Sequence, residues 1–145
     1  MVLAAFDQQA VLDRETQLVW QRYVSNAQTF HWTAWRTCAW LETGGRMGWR
    51  LPTLAELTSL VDPAVTSGAR LTAGHPFLTM SGTPLPAWMR FWSSTFDRTS
   101  PQDPASMATY RYHVLDIGTG DVEINGSAMD NNYICVRGPD PANAD

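Results

Sequence analysis

The ten residues Gly48-Trp49-Arg50-Leu51-Pro52-Thr53-Leu54-Ala55-Glu56-Leu57 constrain this chain more than any other stretch. They spell a strand end, a proline stop and a capped helix start. Pro52 pushes Leu51 out of the helical region and fixes its own φ near the helical value. Thr53 then suits an N-cap. Glu56, three residues on, can reach back to the Thr53 backbone N–H and close a capping box. Leu54, Leu57, Leu60 and Val61 follow at helical spacing. Arg50 and Glu56 are the charges here, and neither is placed as a reacting group. The stretch is scaffold.

The chain has 145 residues, which suits one domain with a core of its own. Seven tryptophans are many for that length, and Trp sits readily at a core edge or in a binding surface. The net charge is −4, lysine is absent and the ten arginines are scattered. A surface that tracks phosphates needs clustered cations, so nucleic-acid binding is not expected. No run approaches the ~18 apolar residues of a membrane span. The opening Met1-Val2-Leu3-Ala4-Ala5 is too short for a signal peptide and lacks a basic start. That leaves a cytosolic protein or the mature form of an exported one.

Along the chain, residues 11–22 read as two short strands around a polar turn. Thr29 to Leu41 reads as a first helix, with Gly44 and Gly45 where a helix end is favoured. On it Ala34, Trp35, Cys38 and Leu41 share a face expected to meet the core, with Arg36 and Trp40 opposite. An outward Trp40 either lies under a loop, the favoured reading, or touches another chain. A second helix runs from Leu54 to Val61. Residues 62–88 carry so many Pro and Gly that a long irregular loop is expected. Strands are expected at Arg90–Thr95, Tyr110–Ile117, Asp121–Ile124 and Tyr133–Arg137. Loops are expected at Asp97–Ser106 and Asn125–Asn132. The arrangement is α+β, a single domain over 11–138 with a lead-in at 1–10 and a frayed tail at 139–145. Spacing leaves Cys38 and Cys135 as two buried thiols or one long-range disulfide.

These pieces together resemble the bacterial DUF1566 family, also called the Lcl C-terminal domain family. Leu12-Asp13-Arg14-Glu15-Thr16-Gln17-Leu18-Val19-Trp20-Gln21 comes first, with Gln17 where the family usually has Gly. Trp32, Ala34, Cys38 and Leu41 follow, then Gly48 to Thr53 with Glu56-Leu57, then Phe91-Trp92-Ser93-Ser94, Gly120 and Cys135-Val136-Arg137. The Arg-Leu-Pro-Thr piece is also similar to the formylglycine-generating enzyme family. Both families resemble C-type-lectin-like folds: two helices, short antiparallel strands and long irregular loops, with the N- and C-terminal strands adjacent. The resemblance implies a Cys38–Cys135 disulfide between the first helix and the last strand, and hence an oxidising compartment.

Three kinds of site are open to these residues. Formylglycine-generating enzymes work through paired cysteines and copper; here the two cysteines sit on different elements and the resemblance engages them with each other. His31, His75 and His113 stand in unrelated contexts, so catalysis is not expected. No cofactor is expected, although Asp116, Asp121, Glu123, Asn125 and Asp130 are hard oxygen donors of the kind Ca²⁺ takes. Asp116 and Asp121 also flank a Gly-rich turn, where Asp is favoured anyway. The third is a recognition surface. Asn125, Ser127, Asp130, Asn131, Asn132 and Tyr133 offer adaptable hydrogen bonding, and Trp88, Tyr110 and Tyr112 offer aromatic platforms; Trp92 is expected in the core.

The expected function is non-catalytic, adhesin-like recognition by a secreted, cell-surface or periplasmic bacterial protein. Its partner is a glycan or protein on another surface, with no nucleic acid and no membrane span; a homo-oligomer is left open. The family's name-giving member binds sulfated glycosaminoglycans. An acidic chain without lysine is a poor trap for polyanions, so a neutral ligand is expected here. The alternatives are a variable-display protein, whose late residues differ between copies made by a diversity-generating retroelement, and a formylglycine-generating-enzyme-like oxidase.

Overall fold

The computed structural model describes residues 1–98 and 110–139. The fold is α+β, with two helices and nine short strands among the described residues.

The polar turn after β1 (Ala10–Leu12) returns the chain as β2 (Val19–Gln21). The Asp13 carboxylate shapes that turn, accepting from the Glu15 N–H at 3.0 Å and the Thr16 hydroxyl at 2.8 Å. Gln17 closes it with φ of 61°, in the left-handed region where glycine is at ease. This is the position at which the family that the chain resembles usually carries Gly.

β2 pairs with the last strand, β9 (Val136–Arg137), which pairs on its other side with β4 (Trp49–Arg50). The sheet order is β1-β2-β9-β4, antiparallel throughout. The expected pairing of first and last strands is thus corrected by one place. β1 holds the outer position, because the hairpin turn joins it to β2 and Val2 bridges to Val11 on its far side.

α1 (His31–Trp40) is shorter than expected at both ends. Thr29 is drawn into a bridge with Asn131, and Leu41 is extended at φ −67°, ψ 136°. Ala34 and Cys38 are fully buried. Trp35, expected beside them, is 48% exposed. It lies about 90° around the helix from the Ala34–Cys38–Leu41 centre, at the edge of what a flat sheet can cover. Trp40 is 78% exposed, which corrects the favoured reading of a covering loop.

α2 (Leu54–Thr58) ends sooner than expected, but its start is as the sequence dictates. The Thr53 hydroxyl accepts the Glu56 N–H at 3.2 Å, and Glu56 Oε1 accepts the Thr53 N–H at 2.8 Å. Arg50 grips both Glu56 oxygens at 2.7 and 2.8 Å and also donates to the Gly138 carbonyl at 2.7 Å. β4, α2 and the end of β9 are thereby tied at one point.

The irregular stretch 62–88 contains one strand, β5 (Leu78–Thr79), parallel to β3 (Tyr23–Val24). A three-stranded antiparallel meander follows: β6 (Arg90–Phe96), β7 (Arg111–Asp116) and β8 (Val122–Gly126). β8 takes in Asn125 and Gly126, expected in the late polar loop, and the last strand shrinks to two residues. The loop expected at Asp97–Ser106 lies mostly outside the described residues, as does most of the tail.

Two apolar clusters fill the interior. One gathers Trp20, Leu57, Phe77, Met89, Phe91 and Leu115. The other gathers Phe6, Ala34, Trp49, Leu51, Trp92 and the half-cystines. Phe6 shows that the lead-in is part of the packing. Its backbone lies so close to Gly44 that a Cβ there would stand 2.5 Å from the Phe6 Cα. Cys38 and Cys135 form a disulfide with their Cα atoms 5.5 Å apart, both fully buried. Among the described residues no helix is long and apolar enough to cross a membrane.

Candidate functional site

The start of α1 is held by the late part of the chain. The His31 N–H donates to the Ser127 carbonyl at 3.1 Å, and the Thr29 and Asn131 backbones bond to each other at 2.9 and 3.1 Å. The His31 ring lies 3.4 Å from the Tyr112 ring, centroid to centroid and nearly parallel at 9°. Its edge meets Trp92, and its Nε2 is 2.9 Å from the Ser93 carbonyl. A carbonyl only accepts, so the proton of the neutral ring sits on Nε2. Burial lowers the His31 pKa, against the Ser93 bond that raises it, so the ring is neutral at pH 7.

Over this floor opens a groove of about 370 Å³, lined by Phe30, His31, Trp32, Trp35, Tyr110, Tyr112, Ser127 and Ala128. Trp32 and Trp35 are stacked, with centroids 5.5 Å apart and planes at 17°. Phe30 and Trp32 are about half exposed, as is Trp35. The Tyr112 pKa is raised by burial and by neighbouring Tyr110, so its phenol also stays neutral. None of the described lining side chains carries a charge at pH 7. The groove offers flat aromatic faces with tyrosine and serine hydroxyls.

Tyr110, Tyr112 and Ser127 of the expected recognition set meet in this groove. Asn125 is directly opposite Tyr112 across β7 and β8, so its side chain shares that face of the sheet. Asp130 is exposed in the turn before Asn131, and Tyr133 packs against the second apolar cluster. Asn131 and Asn132 are corrections: they are 3% and 0% exposed and belong to the scaffold. Asn132 Nδ2 faces the carbonyls of Ser25, Asn26 and Ala27 at 3.3–3.4 Å, while its main-chain carbonyl accepts the Trp92 backbone N–H at 3.0 Å. A polar side chain so occupied holds loops together. Trp88 is 54% exposed but lies elsewhere. It precedes Met89, which bonds Ile117 at the far end of β7, roughly 20 Å from Tyr110 along the strand.

Among the described residues no group of three or more His, Cys, Asp or Glu is placed to hold a metal. Asp116 accepts the Gly118 N–H at 2.8 Å, and Asp116 and Glu123 both lie 3.4 Å from the Arg90 Nε.

The model of the Lcl C-terminal domain matches residues 9–137, from the threshold of β1 through β9. The chain belongs to the Lcl C-terminal domain family. No curated protein and no solved structure matches it. In this Lcl C-terminal domain the family pieces are mostly interior. Trp20, Cys38, Leu51, Trp92 and Cys135 are all buried, so they report the scaffold rather than the site. Both cysteines are consumed in the bridge.

Phe30, His31, Trp32, Trp35 and Ala128 also line the groove, outside the recognition set expected from the sequence. A signal was there for two of them. Trp32 and Trp35 are three apart, about 60° around a helix, and both lie off the Ala34–Cys38 centre.

Proposed function

We propose that this Lcl C-terminal domain is a non-catalytic recognition module of a secreted or surface bacterial protein, with a C-type-lectin-like fold, and that it holds an uncharged sugar of a glycan in the groove between α1 and β7. The carrying observation is the Trp32–Trp35 stack beside Tyr110, Tyr112 and Ser127 in a lining without charge. A pyranose ring has an apolar C–H face that packs on an aromatic plane and hydroxyls that need adaptable partners. A sulfated or carboxylated sugar would lose its hydration there without a cation to meet it.

Two further observations favour the reading. A buried disulfide suits an oxidising compartment. It also takes up both thiols that an oxidase mechanism would need. The late strands and turns, with their hydroxyl and amide groups, form one wall of the groove.

A glycan array followed by tryptophan-fluorescence titration tests this. Neutral glycans are expected to bind, with little salt dependence, and Trp35→Ala is expected to weaken binding about tenfold or more while leaving the fold intact. Tight, salt-sensitive binding to heparin, or neutral-glycan binding that Trp35→Ala leaves unchanged, overturns the assignment.

A further inference from the structure

We propose that the C-terminal half of α1 is a self-association face, where a second copy of this chain docks antiparallel against the same surface. Among the described residues Trp40 is the most exposed of the large apolar side chains, at 78%. It lines a shallow concavity with Arg36, Thr37, Leu41 and Glu42, separate from the groove around Trp32 and Trp35. Arg36 and Glu42 are exposed and flank Trp40 on either side, and among the described residues neither is in an ion pair.

One cation and one anion bracketing an aromatic side chain make a surface complementary to itself. A two-fold axis near residue 39 sets Arg36 of each copy opposite Glu42 of the other, since an isologous contact repeats every pair twice. The two Trp40 side chains then fill each other's concavities, with Thr37 and Leu41 as walls. An antiparallel charge match of this kind commits the face to a second copy; a partner of one sign would leave Arg36 or Glu42 opposed by like charge. α1 is about 15 Å long, so the contact is at the small end of specific interfaces and the dimer is weak, with Kd on the order of 10 μM or above. Trp32 and Trp35 stay uncovered, so the dimer carries two open grooves and binds a repeated ligand with avidity.

Sedimentation equilibrium across a wide concentration range tests this. The mass is expected to rise from the 16.2 kDa of one chain toward twice that value. Trp40→Ser is expected to abolish the rise. Arg36→Glu and Glu42→Arg are each expected to weaken association about tenfold, because each creates two like-charge contacts. The double variant Arg36→Glu/Glu42→Arg is expected to recover most of it. Thermal unfolding of each variant verifies that it folds. A chain that stays monomeric at every concentration overturns the proposal. So does a dimer indifferent to these substitutions, or a double variant no better than the singles. Monomeric protein that binds phosphatidylcholine vesicles through Trp40 overturns it in favour of a lipid surface.

Discussion

His31 and Tyr112 lie face to face, 3.4 Å apart, with the first residue of α1 stacked on the second residue of β7. The stack is the floor of the groove, and it brings together residues 81 positions apart. His31 is held from three directions: by Tyr112 of β7, by Trp92 and the Ser93 carbonyl of β6, and by the Ser127 carbonyl beyond β8.

That arrangement sets a pH dependence. Burial lowers the pKa of His31, and of His75, below 6.5 in the folded chain. The unfolded chain therefore binds more protons as pH falls through 6.5. Stability is full above that value, declines below it and levels off only beneath the folded pKa values. The thermal midpoint is expected to drop between pH 7 and pH 5, above the range where Glu56, whose pKa is lowered, begins to protonate. His31→Gln with His75→Gln should flatten the slope. A midpoint that is constant or rises on acidification contradicts this.

Removing the Cys38–Cys135 bridge should cost much of the stability. The bond spans 97 residues, and the chain-entropy model gives about 4–5 kcal/mol for a loop of that length. Urea unfolding of Cys38→Ala/Cys135→Ala should show a loss of about 3–5 kcal/mol, together with weaker ligand binding because α1 and its N-cap Phe30 supply half of the groove's lining residues. A loss below about 1 kcal/mol would mean that packing alone positions the helix.

Gln17→Gly is expected to stabilise. Gln17 stands at φ 61°, and a non-glycine residue there costs roughly 1 kcal/mol. The Gln17 side chain recovers part of this by donating to the Arg14 carbonyl at 2.7 Å. A net gain of about 0.5 kcal/mol in urea unfolding is expected, and a loss would show that the side-chain bond outweighs the strain.

The capping box and the arginine fork should respond separately. Thr53→Ala removes one helix cap and is expected to cost about 1 kcal/mol. Arg50→Lys keeps the charge but cannot hold Glu56 bidentately and reach Gly138 as well, so about 1 kcal/mol is expected there too. Equal stability of wild type and Arg50→Lys would show the fork to be solvated and idle.

Asn132→Ala and Trp35→Ala should separate scaffold from site. Asn132 is buried under the loop at 25–27, so its loss is expected to cost about 2 kcal/mol of stability. Trp35 is half exposed, so its loss should spare stability and remove binding. The reverse pattern in a paired thermal-shift and titration experiment would exchange their roles. The burial of Asn131 and Asn132 also makes both poor positions for variable display, where tolerated change needs an open surface.

Local chemistry was legible in the residues themselves. Pro52, Thr53 and Glu56 specify a helix start whatever surrounds them, because each bond is made within four residues. The β1–β2 and β7–β8 hairpins follow from turn residues between alternating runs for the same reason. The order of family pieces identified the scaffold, since buried Trp20, Leu51 and Trp92 answer to packing.

What the chain could not announce was which polar residues would be covered and which aromatic ones left bare. Asn132 looks like any loop asparagine until the segment at 25–27 closes over it. Trp35 looks like core until the neighbouring sheets prove too narrow to reach it. Burial depends on contacts between residues far apart in sequence, and those distances are set only when α1, β6 and β7 pack. Sequence alone determined the caps, the turns and the family; tertiary packing decided the groove, because a recognition surface is whatever the core leaves uncovered.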